Sequence, residues 1–295
     1  MHDLLGVLAA AASSSLGGIS GGATRFVIAS TDPVTLGVFR YGIGFLILLV
    51  IALLLKRRWP AREDWFATAA LGILFFFAFS VLFNLAYSMT TAARGALALS
   101  TMPIQTMLVA SLLGVEKMTL RKSLGVLIAM SGVGLALAGG LSSAPPGAWR
   151  GEAVMLLATF CMSLFNVWSR PFIARSDPLT YITFGMGAAA FLLLVWALLI
   201  GGFAAVPQFG TPQWIAVLYL ATFGSAAIFF LWSYALGRTT PTKAAVTLTI
   251  NPVFAAIVGA AAIDEPIGWN LVIGVVAVLA GILIAATSAN KKPAG

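Results

Sequence analysis

Four side-chain amides fall inside long apolar stretches of this chain: Asn84, Gln105, Asn166 and Asn251. An amide in apolar surroundings costs free energy unless it is hydrogen-bonded. Each therefore either ties one helix to another or offers its donors and acceptors to a solute, and the sequence leaves both roles open. Aromatic residues accompany them: Phe79, Phe83 and Tyr87 at a spacing of four, then Phe165 and Trp168, then Trp232 and Tyr234. Ser14 and Met102 complete the candidate set for binding. A cavity lined by such rings and a few amides suits a small neutral solute with an apolar side chain. Pro103 and Pro252 lie near the middle of their apolar stretches. There a proline removes a backbone donor and clashes with the carbonyl four residues back. Both are candidate hinges beside the binding level.

The groups that would do covalent chemistry are missing. One histidine (His2) and one cysteine (Cys161) are present, with no HExxH pattern and no paired carboxylates, so a membrane enzyme is not expected. Neither a metal nor a cofactor is expected. All nine acids (Asp3, Asp32, Glu63, Asp64, Glu116, Glu152, Asp177, Asp264 and Glu265) fall at the ends of apolar stretches or between them. A mid-membrane carboxylate that trades its proton for substrate is thus absent, and uniport or exchange is expected rather than proton antiport. Arg25 and Arg40 are the only charges placed inside apolar stretches; Arg25 can snorkel or pair with Asp32. Arg40 lies about 10 Å in; a structural role is preferred for it over binding a substrate carboxylate.

What must position these residues is a membrane-embedded helical bundle. The 295 residues are 60% hydrophobic and 9% charged, with a mean hydropathy of +1.02. Soluble domains carry roughly 25% charged residues. Apolar segments long enough to cross a bilayer follow one another, and the short alternating strands of a barrel are absent. Ten spans are placed, at 4–30, 34–55, 65–88, 93–115, 120–140, 150–172, 178–200, 212–236, 241–263 and 267–288. Asp32-Pro33 and Asp177-Pro178 should start the second and seventh, as an Asp cap with Pro in the first turn. The first segment lacks a basic leader and a cleavage site and is expected to be retained. Of the 17 Lys and Arg, Arg94 and Arg150 fall on one side and Arg25 and Arg40 within spans; the remaining 13 gather on the other side. The positive-inside rule then puts both termini in the cytoplasm. The formal charge of +8 reflects topology, and no nucleic-acid partner is expected.

The chain also repeats itself. Arg94, Pro103, Glu116, Gly125 and Gly132 recur 149 positions later as Lys243, Pro252, Glu265, Gly274 and Gly281. Arg25, Ile28, Ala29, Asp32 and Pro33 recur 145 positions later as Arg170, Ile173, Ala174, Asp177 and Pro178. By the same offset Asn251 stands opposite Met102 rather than Gln105. Internal repeats are how many secondary transporters are built, and five spans per half would invert one half relative to the other. The expected units are 1–141, a linker at 142–149, a second unit at 150–288 and a cytoplasmic tail at 289–295. Gly17/Gly21 and Gly18/Gly22 in the first span, and the heptad-spaced glycine pairs of the fifth and tenth, are expected to serve close helix packing.

This doubled pattern of Pro103, Glu116, Gly125, Gly132 and Pro252, Glu265, Gly274, Gly281 resembles the EamA-type drug/metabolite transporters over essentially the whole chain. The resemblance implies a central cavity lined by the third, fourth, eighth and ninth helices with help from the first and sixth. It also implies a bacterial inner-membrane exporter of amino acids or other metabolites, one branch of the family exporting aromatic amino acids. The expected partners are a small-molecule substrate and membrane lipids, with a monomer as the expected state. A phosphorylated-sugar or nucleotide-type exchanger of the same superfamily is the alternative, weakly supported by two shallow arginines. A channel is the alternative of another class, without a visible ring of charges or filter.

Overall fold

A computed structural model describes residues 2–28, 30–90, 92–138, 146–251, 253–254 and 269–287, without the side chains at 19, 21, 22, 25, 87, 88, 92, 93, 96 and 271. Among the described residues all regular structure is helical. Helix α1 is His2–Ile28, α2 Pro33–Leu54, and α3 runs from 65 to 89 as Trp65–Gly72, Ile73–Phe79 and Ser80–Met89 in succession. Then come α4 Ala92–Leu99, α5 Met102–Leu112 and α6 Leu120–Ala136. The second half holds α7 Ala148–Arg175, α8 Pro178–Leu199, α9 Thr211–Leu236, α10 Pro241–Val246 and α11 Trp269–Ala286. Among the described residues five helical runs are long and apolar enough to cross a membrane: 33–54, 62–86, 148–175, 178–199 and 211–236. Shorter apolar helices cover 97–112 and 272–286. Large apolar side chains stay uncovered, such as Leu112 at 85%, Leu199 at 81% and Leu283 at 64% exposed. Water would penalise that surface, whereas lipid solvates it.

The Asp-Pro starts form as their chemistry requires. Asp32 Oδ1 accepts the Val34 and Thr35 N–H groups, both at 2.9 Å, and Asp177 Oδ1 accepts that of Leu179 at 2.9 Å. Each carboxylate thereby satisfies amides that the first helical turn leaves without a partner.

Helices α6 and α11 run antiparallel, backbone against backbone. A Cβ placed on Gly125 would lie 2.7 Å from the Gly281 carbonyl, and one on Gly281 would lie 2.5 Å from the Gly125 carbonyl. Gly132 and Gly274 meet in the same reciprocal way, at 2.7 and 2.6 Å. Only glycine permits this approach, which trades side-chain volume for continuous van der Waals contact.

The main buried cluster joins α3, α7 and α9. Phe75 stacks on Phe165 with ring centroids 4.3 Å apart, and Phe229 meets the rings of Phe75 and Phe76 edge-on at 5.3 and 4.8 Å. Met102, Trp232 and Tyr181 are sealed in the same cluster.

Candidate functional site

The backbone departs from regular α-helix where the two repeats correspond. In α3 the hydrogen-bonding widens to a π-helix at Ile73–Phe79, and in α9 at Thr222–Ala227. The two start 149 positions apart. A third π segment, Val38–Gly42 in α2, has no such counterpart, because α8 is regular throughout. π-Segments frequently mark functional sites.

The second paired irregularity lies just ahead of the two prolines. The stretch expected to be a single kinked helix at 93–115 is two helices, α4 and α5, parted at Ser100 and Thr101. Pro103 is in the first turn of α5, where its missing N–H removes no helical bond. Ser100 Oγ donates to the Leu97 carbonyl at 2.7 Å and Thr101 Oγ1 to that of Ala98 at 2.7 Å. In the other half α10 gives way to a 3-10 turn at Thr247–Thr249. There Thr249 Oγ1 donates to the Val246 carbonyl at 2.7 Å and Thr247 Oγ1 to that of Ala244 at 2.8 Å. Ser100→Leu97 and Thr249→Val246 are one hydrogen bond occurring twice, 149 positions apart. A hydroxyl that satisfies a carbonyl from within its own turn lets the helix stop without stranding the acceptor. Pro252 lies outside the described residues.

Around these breaks the candidate residues take different places. Ser14 is buried in α1, its Oγ 3.2 Å from Thr247 Oγ1, and beside it Ser13 Oγ donates to the Ile228 carbonyl at 2.9 Å. Asn251 is half-buried, and its Nδ2 lies 2.9 Å from where a Cβ on Gly17 would stand. Gly17 thus makes room for that amide. Asn166 is fully buried and accepts the Trp232 Nε1–H at 3.0 Å, tying α7 to α9; its Nδ2 has no partner among the described residues. Gln105 Nε2 makes long contacts to Thr101 Oγ1 (3.3 Å) and the Leu156 carbonyl (3.4 Å), while its Oε1 is buried without a donor. Phe79 touches Phe75 and Phe83 at 5.7 and 5.5 Å between centroids, and Asn84 is half-buried. Met102, Phe165 and Trp232 are core residues. Trp168, 45% exposed, is not brought to this cluster. Tyr234 lies beneath the Arg238 guanidinium, 3.5 Å from ring centroid to Cζ. The side chain of Tyr87 is outside the described residues.

Arg40 sits in the π segment of α2 and donates through Nε and Nη2 to the Gly224 carbonyl, at 3.2 and 2.6 Å. That carbonyl belongs to the π segment of α9, so the arginine stitches two irregular backbones together.

One feature the sequence did not disclose is a charged layer at the end of the bundle where basic residues collect. Lys122 Nζ lies 2.6 Å from Glu116 Oε2, both side chains 3% exposed. The other oxygen of Glu116 accepts the Thr242 N–H at 3.0 Å and so caps α10 from across the repeat. Lys243 Nζ lies 2.7 Å from Asp3 Oδ2, and Thr239 Oγ1 donates to Asp3 Oδ1 at 2.6 Å. Burial pushes the Asp3 carboxyl up, but the bonds from Lys243 and Thr239 outweigh it and hold it below its ordinary value. Arg175 pairs with Asp64 through two bonds of 2.6 and 3.0 Å, and Thr180 Oγ1 donates to the Arg58 carbonyl at 2.6 Å. Apart from Lys122–Glu116, these contacts join residues before 142 to residues after 149. At the other end Arg94 pairs with Glu152. Glu116 and Lys243 were visible as repeat landmarks; their partners lie too far away in sequence for any local pattern to reveal.

A family model described as the EamA-like transporter family matches residues 4–138 and again residues 149–287. The chain belongs to the EamA-like transporter family. It is therefore a membrane-embedded transporter of the drug/metabolite superfamily. A Pseudomonas aeruginosa protein, itself uncharacterized, is 33% identical over 86% of this chain and 84% of its own. The uncharacterized transporter YyaM of Bacillus subtilis is 24% identical over 88% and 87%. A probable terminal-alkyne amino-acid exporter of Streptantibioticus cattleyicolor is 28% identical over 76% and 73%. A crystal structure of a further protein superimposes with a TM-score of 0.77 over 96% of both chains at 20% identity, a likeness of fold.

Proposed function

We propose that this transporter exports small neutral metabolites, foremost amino acids with apolar or aromatic side chains, across the inner membrane by alternating access. Ten spans form two inverted five-helix units, 1–141 and 150–288, with both termini cytoplasmic. The single observation that carries this reading is the recurrence of the same backbone irregularities at equivalent repeat positions. The π starts at Ile73 and Thr222 and the hydroxyl-satisfied turns at Ser100 and Thr249 give both proposed units backbone that departs from regular α-helix inside apolar stretches. Such backbone is tolerated where protein or a watery cavity satisfies it, and broken helices at a repeat interface are where transporters of this build place their sites. The antiparallel contact of α6 and α11 and the two family matches support the inverted arrangement. The amino-acid exporter among the relatives supports the substrate class.

On this reading Asn84, Gln105 and Asn251 offer polar contacts to the solute, and Phe79, Phe83 and Tyr87 offer apolar ones. Pro103 and Pro252 lie beside the moving breaks. The charged layer of Asp3, Lys243, Glu116 and Thr242 is the closed cytoplasmic gate. The acids of the described spans lie at their ends, which favours uniport or exchange. Efflux from cells loaded with a panel of amino acids, sugar phosphates and nucleotide sugars tests the substrate class. Export of neutral amino acids is expected; export of the phosphorylated compounds alone would reassign the cargo.

A further inference from the structure

Around the proposed gate, Asp3, Glu116, Lys122, Lys243 and Arg170 carry five charges that do not balance. Asp3 is matched by Lys243 at 2.7 Å and Glu116 by Lys122 at 2.6 Å. Arg170, on which both carboxylates also act electrostatically, is left over. Its Nε donates to the Leu236 carbonyl at 3.2 Å, the last turn of α9, which fixes the guanidinium. Its two terminal nitrogens have no protein partner among the described residues. Arg170 lines a cleft of about 280 Å³ with Val115, Val167, Pro171, Ala174 and Leu236. Small-molecule sites start near 300 Å³ and combine apolar walls with a few placed polar groups. Gly237 also lines the cleft, and the next residue, Arg238, is held over the Tyr234 ring. A guanidinium anchored at Nε and open at both terminal nitrogens presents a fork that fits the two oxygens of an oxyanion.

We propose that this cleft is a carboxylate-binding vestibule on the cytoplasmic face, in which Arg170 receives the carboxylate of the solute and the apolar walls receive its side chain before the gate opens. The assignment rests on the transporter reading above and adds a site to it, the place where the cargo's carboxylate is first received. By the repeat, Arg170 corresponds to Arg25, which stands near the opposite end of α1.

The test is calorimetric titration of the full-length protein in phosphatidylcholine nanodiscs with phenylacetate and with phenylacetamide, the same body without the charge. Phenylacetate should bind and the amide should bind about tenfold more weakly or not at all, the scale of a charge-assisted bond. Arg170→Gln should erase the difference, Arg170→Lys should restore part of it, and Ala174→Phe should block the cleft with the arginine intact. Melting curves confirm that each variant is folded. Equal binding of acid and amide, or an unchanged Arg170→Gln, would overturn the proposal. A third arm adds phosphatidylglycerol and reads retained lipid by native mass spectrometry. Arg170-dependent retention that phenylacetate cannot displace would give the site to a lipid phosphate and end the vestibule assignment. If phenylacetate binds through Arg170 while no amino acid is transported, the site stands and the cargo reading fails. If amino acids are transported with an unchanged KM by Arg170→Gln, the vestibule alone is wrong.

Discussion

Trp232 and Asn166 show how a buried polar pair constrains substitution. The indole N–H meets the amide oxygen at 3.0 Å inside a closed aromatic cluster. Trp232→Phe keeps most of the ring but strands that oxygen, and should cost about 1–3 kcal/mol. Adding Asn166→Leu removes the stranded group, so the double variant should melt above Trp232→Phe alone. A double variant melting lower than either single one would show that Asn166 is held by more than Trp232. Asp3 carries a pH signature. Its folded value is lowered, so its contribution is present above the unfolded value near 4 and is lost as pH falls through the folded one. The melting difference between wild type and Asp3→Asn should stay constant from pH 5 to 8 and shrink below about pH 4. A difference that vanished near pH 7 would contradict the Lys243 and Thr239 bonds.

At the scale of elements, regular and irregular helix are read from a sequence with unequal success. The Asp32 and Asp177 starts were legible because a carboxylate beside a first-turn proline acts within three residues. The glycine pairs of α6 and α11 were legible as packing from their heptad spacing, and the contact places Gly281 against the Gly125 carbonyl. Gly281→Leu should therefore prevent assembly of folded protein, measured as loss of the monodisperse peak on size exclusion. The break between α4 and α5 was not legible, since 93–115 reads as one apolar run and the deciding groups are two hydroxyls turned on their own carbonyls. The π segments were invisible for another reason: apolar periodicity hardly registers one extra residue in a turn. If the paired breaks flex during transport, Ser100→Ala and Thr249→Ala should each lower turnover several-fold while stability falls by only about 0.5–1.5 kcal/mol. Unchanged turnover in both variants would make the breaks static.

For the whole molecule, a charged layer of Asp3, Lys243, Glu116, Lys122, Asp64 and Arg175 ties residues before 142 to residues after 149. The membrane class and the family were open to reading because hydropathy and the doubled landmarks extend over long stretches of sequence. Which candidates gather was less open: Trp168 shares α7 with Phe165 yet lies 45% exposed, and a three-residue step on a helix does not reveal which face meets lipid. The charged pairs were hidden, since Asp3 and Lys243 are brought together only by the fold. As proposed, the chain is a carrier for neutral amino acids. Counterflow in proteoliposomes tests it most directly: vesicles loaded with unlabelled phenylalanine or leucine are diluted into trace labelled substrate without a pH gradient. A carrier of this kind should give saturable uptake, accelerated by substrate inside and little altered by an imposed pH gradient. Uptake that ignores internal substrate, or that appears only when a pH gradient is imposed, would contradict it.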